Sequence, residues 1–118
     1  MAKIIFQTYR LAADAAEVEL SALVGFGQRA LTRLSIRDQS IGTVWQDTFG
    51  PVGLGPAADL RNRQLLATIT VFDVNPATND IFVEVSLTGG ANPLLIPITD
   101  KVQTDWDSLN IVLIIDFV

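Results

Sequence analysis

The sequence predicts an all-β fold: an antiparallel β-sandwich or jelly roll of about seven or eight strands, formed as one domain over residues 1–118. Apolar and polar residues alternate along most of the chain, with the period of two that places successive side chains on opposite faces of a strand. Turn residues, mainly glycine, proline and asparagine, separate these stretches at short intervals, which is typical of sandwiches and jelly rolls. The chain is also long enough to bury one core.

Residues 14–24 have two interpretations. One is a short helix, because Asp14 and Glu17 have the spacing of a capping box and Gly25 fits a helix C-terminus. The other is a strand that starts near Ala16, since apolar residues alternate with polar ones from there. The strand is favoured because no other part of the chain has helical periodicity.

Other segments alternate more clearly. Lys3 to Tyr9, residues 29–37 and Ile41 to Thr48 are predicted strands. Gly50 to Pro56 is rich in glycine and proline and is predicted to form a packed loop. Leu94 to Ile98 contains a proline and is predicted to be an edge strand.

Two further strands lie in the second half of the chain. Gln64 to Asp73 and Asp80 to Leu87 both alternate, and the turn residues Asn75 to Asn79 separate them. This pattern predicts a β-hairpin.

The last predicted strand, residues 111–118, is apolar on both faces. Such a strand needs protein on both sides, from a second layer or from a partner subunit. With 49% hydrophobic residues and a mean hydropathy of +0.38, the chain has more apolar residues than a small core uses. Core and interface roles are both open for five residues: Leu54, Leu113, Ile115, Phe117 and Val118.

The amino-acid composition argues against several classes of function. The chain has no histidine and no cysteine, which removes the commonest general base and thiol chemistry. The net charge of −5 argues against nucleic acid as a partner. Residues 1–63 hold seven of the eight basic groups. This uneven charge either serves head-to-tail attraction between subunits or is averaged out when the strands fold together. No apolar run is long enough for a membrane-spanning helix.

The residues at the N-terminus lack the features of a signal peptide. We therefore expect a cytoplasmic location, with signal-independent export or association with a larger particle as alternatives.

The segment Ile69 to Ile81 resembles the strand–loop–strand of C2 domains, in which acidic loop residues hold calcium. The resemblance covers about thirteen residues and implies a weak calcium site at Asp73, Asn75 and Asp80. Asn75 stands where that family usually has an aspartate, and the loop to Asp80 is one residue short. Capping of an Asx-type turn is the favoured role of these side chains.

A second acidic group surrounds a tryptophan. Asp105 and Asp107 flank Trp106, and with Trp45 they are candidates for a glycan-binding site in which an indole ring stacks on the sugar. Paired carboxylates could also serve a small hydrolase. A chain of 12.8 kDa has little room for a deep catalytic cleft, so binding is the better hypothesis.

Three arginines line one face of the strand at residues 29–37: Arg29, Arg33 and Arg37. This face fits a phosphate, an acidic glycan or an acidic neighbour. Solvation, or ion pairing with Glu17 and Glu19 on an adjacent strand, is the favoured interpretation.

The sequence therefore predicts a non-catalytic structural or interaction module without a cofactor, which forms a homo-oligomer or docks into a larger assembly. The alternative is a ligand-binding module for a glycan or for weakly bound calcium.

Overall fold

The computed structural model describes residues 2–118 and confirms the all-β sandwich, with nine strands rather than seven or eight. The strands are β1 (Ala2–Tyr9), β2 (Glu17–Val24), β3 (Arg29–Ile36), β4 (Gln39–Gln46), β5 (Phe49–Pro56), β6 (Gln64–Phe72), β7 (Asp80–Thr88), β8 (Leu94–Lys101) and β9 (Ser108–Phe117). The helix α1 (Ala57–Leu60) follows β5. With four residues, this helix is the only one in residues 2–118, far shorter than a helix that crosses a membrane.

Two sheets face each other. The first has five strands in the order β1-β9-β6-β3-β4, and the second has four in the order β5-β2-β7-β8. All pairings are antiparallel except that of β1 with β9, which is parallel. The edge strands are therefore β1 and β4 in one sheet and β5 and β8 in the other.

The core lies between the sheets and is built by the alternation of each strand. In β9 the inward side chains are almost completely buried: Leu109, Ile111, Leu113, Ile115 and Phe117. Inward residues of β6 and β7 meet them from the two layers, and Tyr9 packs edge-on against Phe117 with ring centroids 6.4 Å apart. The sequence predicts that β9 needs protein on both faces. The second sheet covers its inward face.

Residues 14–24 form no helix. Residues 17–24 are β2, with Val18, Leu20 and Ala22 inward, as the favoured interpretation predicts. The helix of the structure, α1, lies instead at residues 57–60, and its residues Ala57 and Leu60 are buried. Pairing of β2 with strands on both sides outweighs the local helix signals, because tertiary contacts override weak propensity.

The predicted hairpin of the second half is wrong. Strand β6 pairs with β3 and β9, whereas β7 pairs with β2 and β8, so residues 73–79 cross from one sheet to the other. Strands β6 and β7 each bury one face against the same core. The local alternation of residues is therefore the same whether the two strands form a hairpin or lie in different sheets.

The predicted loop at residues 50–56 is instead part of β5, at the sheet edge next to β2. Val52 and Leu54 point inward, and glycines occupy positions facing outward. A Cβ atom on Gly50, which has φ +112°, would lie 2.8 Å from the Cα of Ser21. Glycine here therefore allows β5 to approach β2 closely rather than breaking the strand. The predicted edge position of β8 is confirmed.

Candidate functional site

Three connections meet at one end of the sandwich, which we call the loop end: residues 25–28, 73–79 and 102–107. Gln28, for which the sequence pattern predicted no role, joins the first two. Its Nε2 donates to the Asp73 carboxylate at 2.8 Å, and its Oε1 accepts from the backbone N–H groups of Val74 and Asn75 at 2.8 and 3.0 Å. A buried glutamine thus fixes the course of the crossing segment.

Asp73 is almost completely buried, with 1% of its surface exposed. The carboxamide of Asn79 lies between the carboxylates of Asp73 and Asp105 and, with its nitrogen assigned toward them, donates at 2.6 and 2.8 Å. Gln28 and Asn79 together therefore supply both oxygens of Asp73 with donors, which is what a buried carboxylate requires.

The other residues of the C2-like segment point to different partners. Asn75 accepts from the Ala77 N–H at 3.0 Å, an Asx-type turn, and donates to the Phe26 carbonyl at 2.8 Å. Asp80 forms an ion pair with Lys101 at 3.5 Å. Residues 2–118 contain no group of three or more acidic, histidine or cysteine side chains placed to hold a metal ion.

Trp106 lies in the third connection, with 76% of its surface exposed and a φ of +66°. Two backbone hydrogen bonds hold this connection to the end of β6: the Trp106 N–H donates to the Asp73 carbonyl, and the Asp73 N–H to the Asp107 carbonyl, both at 2.9 Å. The Asp107 carboxylate caps the start of β9 through the Ser108 N–H. The structure thus joins the two acidic groups that the sequence predicted separately.

Trp45 has a different environment. It lies on β4, half-buried, and its ring stacks on Phe49 with centroids 5.4 Å apart. Its indole N–H donates to the Ile41 carbonyl at 3.0 Å. The structure therefore gives Trp45 a packing role at the edge of the core. Trp106, in contrast, lies in the connection between β8 and β9.

Arg29 and Arg33 point outward from β3, as the alternation predicts, whereas Arg37 lies in the turn after the strand. Arg29 forms an ion pair with Asp47 at 2.9 Å. The Ala30 N–H and the Arg29 guanidinium hold the pKa of Asp47 below its ordinary value. Arg37 lines an open depression of about 800 Å³ together with Arg61 and Arg63.

The ion pairs with Glu17 and Glu19, one of the interpretations that the sequence allows, do not form. Glu17 and Glu19 lie on β2, and β2 and β3 belong to different sheets. Arg33 and Arg37 have no ion-pair partner within residues 2–118. Alternation shows which way a side chain points but not which sheet its strand joins.

Of the five predicted core or interface residues, four lie inside. Leu113, Ile115 and Phe117 are buried between the sheets, and Leu54 is buried at the edge strand β5. Only Val118 reaches the surface, with 47% exposed.

The outer face of the five-stranded sheet has an apolar surface that we call the apolar strip: Ile4, Phe6, Leu66, Val112 and Ile114. These residues are neighbours by register, since Ile4 pairs with Val112, and Ile114 lies between Phe6 and Leu66. Phe6 is 70% and Ile4 is 62% exposed. The sequence places Ile4 and Phe6 on one face of β1, but only the strand order shows that β9 and β6 continue that face.

Comparison with protein-family models, with curated proteins and with solved structures found no significant match.

Proposed function

We propose that this protein is a non-catalytic structural module that associates with further copies of itself through the apolar strip. The observation that carries the proposal is the exposure of Phe6 and Ile4 beside three further apolar side chains on adjoining strands. Contiguous apolar patches on a protein surface mark interaction sites more often than scattered single residues do.

The edge of β1 contributes to the same argument. Lys3 reaches across to β8, where its Nζ donates to the Thr99 carbonyl at 3.2 Å and pairs with Asp100 at 3.5 Å. A lysine on an edge strand discourages strand addition. We therefore place the contact on the face of the sheet rather than on its edge.

The expected strength of the contact is modest. Complete burial of a large apolar side chain contributes about 1.5–3 kcal/mol. Phe6 and Ile4 are the two most exposed members of the apolar strip and would supply most of this. Association also has to offset the loss of translational and rotational freedom, about 4–15 kcal/mol. A stable assembly therefore needs contacts beyond the apolar strip.

The lack of catalysis is supported by composition and by the loop end. No histidine or cysteine is present in the sequence. Asp73, the most buried acid of the loop end, has its oxygens occupied by amide donors. Its carboxylate therefore serves the fold rather than a substrate.

The decisive experiment is absolute mass by light scattering coupled to size exclusion, over a range of protein concentrations. We expect a multiple of 12.8 kDa for the wild type and a monomer for Phe6→Glu, because a charge in the apolar strip would be buried unpaired. Trp106→Ala is the matched control, since it also removes an exposed aromatic ring but lies at the loop end.

A wild-type protein that stays monomeric at the highest concentration would overturn the proposal. So would a Phe6→Glu variant that keeps the wild-type mass. Thermal unfolding of each variant checks that the fold is intact.

A glycan-binding module is the second candidate, and the exposed ring of Trp106 between Asp105 and Asp107 favours it. An aromatic ring beside hydrogen-bonding groups suits the apolar face and hydroxyls of a sugar. Tryptophan fluorescence, titrated with a glycan panel and with calcium, tests this candidate and the calcium hypothesis together. A glycan-induced response that Asp105→Asn abolishes would support it, since this variant keeps the Trp106 fluorophore, and a spectrum that no glycan changes would exclude it.

A further inference from the structure

The strands of the five-stranded sheet carry few charges on their outer face, and the free ones have opposite signs. The outward ionised residues of these strands are Arg29, Arg33 and Asp116. Arg29 is balanced by Asp47 at 2.9 Å. Arg33 and Asp116 have no ion-pair partner among residues 2–118. The strands of this face therefore present one free cation and one free anion.

The two free charges lie on opposite sides of Leu66, a member of the apolar strip. On β6, Leu66 lies between Thr68, which is opposite Arg33, and Gln64, which is opposite Asp116. With about 4.8 Å between strands and about 3.4 Å per residue, the Cα atoms of Arg33 and Asp116 are about 17 Å apart. This distance is too long for an ion pair within one copy, so both charges remain available to another molecule.

A two-fold contact between two apolar strips uses both charges. By strand spacing and register, a line from Ile4 to Leu66 runs equally far from Arg33 and from Asp116. Rotation of a second copy about this line places Arg33 of each copy against Asp116 of the other, so that the ion pair forms twice. Val112 and Ile114 flank the same line, and each meets the other across it. The apolar strip is thus complementary to itself.

The free charges favour a second copy over a partner with charge of one sign. A strongly acidic or strongly basic surface would cover one of the two charges without pairing it, and a covered, unpaired charge is unfavourable. A second copy supplies both complements at once. The turn after β3 adds Arg37 and Asp38, again one charge of each sign. Two-fold dimers are also the commonest homo-oligomers.

We infer that the apolar strip packs against the apolar strip of a second copy in a two-fold dimer, in which Arg33 of each copy pairs with Asp116 of the other. This inference rests on the proposed function, because it requires the apolar strip to be an interface. The two ion pairs are contacts beyond the apolar strip, which a stable assembly needs. Because a two-fold contact is closed, association ends at two copies.

The first test exchanges the two charges and measures mass by light scattering over a dilution series. Arg33→Asp and Asp116→Arg each place like charges opposite one another twice, so each should weaken the association at least about a hundredfold. A variant with both substitutions should dimerise within about tenfold of the wild type, because the pairs return with their signs reversed. An equimolar mixture of the two single variants should form a 1:1 heterodimer for the same reason.

Glu84→Arg is the matched control for Asp116→Arg. It makes the same change of charge at an outward position of β7, on the four-stranded sheet. We expect it to leave the association within about twofold of the wild type, because this position lies outside the contact. Thermal unfolding of each variant checks that the fold is intact.

A second test needs no charged substitution. The chain has no cysteine, so Leu66→Cys introduces a single thiol on the proposed two-fold axis. Mild oxidation should link two copies by a disulfide, because only a two-fold contact brings residue 66 of one copy against residue 66 of the other. Leu95→Cys, at an exposed position on β8, is the control and should remain mostly monomeric.

The outcomes separate the two proposals. A monomeric wild type overturns the proposed function, and this inference with it. A wild type that assembles beyond two copies, or an Arg33→Asp variant that dimerises as well as the wild type, leaves self-association standing and overturns the two-fold contact. Single charge variants that dissociate, but recover neither in the mixture nor with both substitutions, overturn it as well. So does a Leu66→Cys variant that forms no more linked dimer than Leu95→Cys.

Discussion

The loop end and the apolar strip hold their side chains in place by different interactions. At the loop end, Gln28 and Asn79 position three connections through hydrogen bonds to a buried carboxylate and to backbone groups. In the apolar strip, side chains such as Phe6 owe their position to strand register alone. A change at the loop end should therefore alter stability, whereas a change in the apolar strip should alter association. Substitutions at polar and at apolar positions test that difference.

The largest effect is expected for Gln28→Ala. The substitution removes a donor from the buried Asp73 and an acceptor from the N–H groups of Val74 and Asn75. We expect the free energy of unfolding to fall by about 3 kcal/mol, measured by urea denaturation. Gln103→Ala, at an exposed position, is the control and should change it by less than about 0.5 kcal/mol. Equal stabilities would mean that the network does not hold the loop end.

Thr32 is also a buried polar residue, but unlike Gln28 its side chain forms no hydrogen bond within the described residues. Its Oγ1 has no hydrogen-bond partner among the residues that the structure describes, although only 1% of the residue is exposed. Replacing the hydroxyl by a methyl group in Thr32→Val should raise the free energy of unfolding by about 1 kcal/mol. Thr32→Ser, which keeps the hydroxyl and loses the methyl group, should lower it. A less stable valine variant would show that the hydroxyl is satisfied in solution.

Asp47 represents a polar group near the surface. Because its pKa is lowered in the folded state, its contribution is present above the pKa of the unfolded chain and is lost as the pH falls through the folded pKa. Asp47→Asn should therefore flatten the acid limb of the stability–pH curve. The effect at neutral pH should stay below about 1 kcal/mol, because the pair with Arg29 is exposed. Parallel curves for the two proteins would contradict this prediction.

The smallest effect is expected for Phe6→Thr, measured under dilution at which the wild type is monomeric. The ring is 70% exposed and threonine suits a strand, so the free energy of unfolding should change by less than about 0.5 kcal/mol. A loss comparable to that of Gln28→Ala would place Phe6 among the stabilising residues of the monomer and remove the contrast between the two regions.

Much of the strand pattern was predictable because alternation is a local property. The inward residues of β2, β6, β7 and β9 follow directly from it. The order of strands is not local, and for that reason the sequence suggested a hairpin where the chain crosses between sheets. The apolar strip was not predictable for the same reason, because it forms only when β1, β9 and β6 lie side by side.

At the loop end, several site residues were predictable from the sequence, but their contacts were not. The sequence predicted site roles for two acids, one amide and one aromatic residue of the turns: Asp73, Asp105, Asn75 and Trp106. Their meeting depends on backbone hydrogen bonds between residues more than 30 positions apart. Gln28 gave no signal at all, because a glutamine after a glycine turn looks like any solvated residue until its amide is found between two connections.

The place of β9 has a consequence for the order in which the chain can fold. It comes last of the nine strands, yet it lies between β1 and β6, and it forms the only parallel pair with the first strand. During synthesis, β1 therefore has no strand to pair with until β2 to β8 have all emerged. The four-stranded sheet, which needs only β2, β5, β7 and β8, can assemble earlier. Pairing between segments that are distant in sequence is slow. We therefore expect β1 to be the last strand to join its sheet.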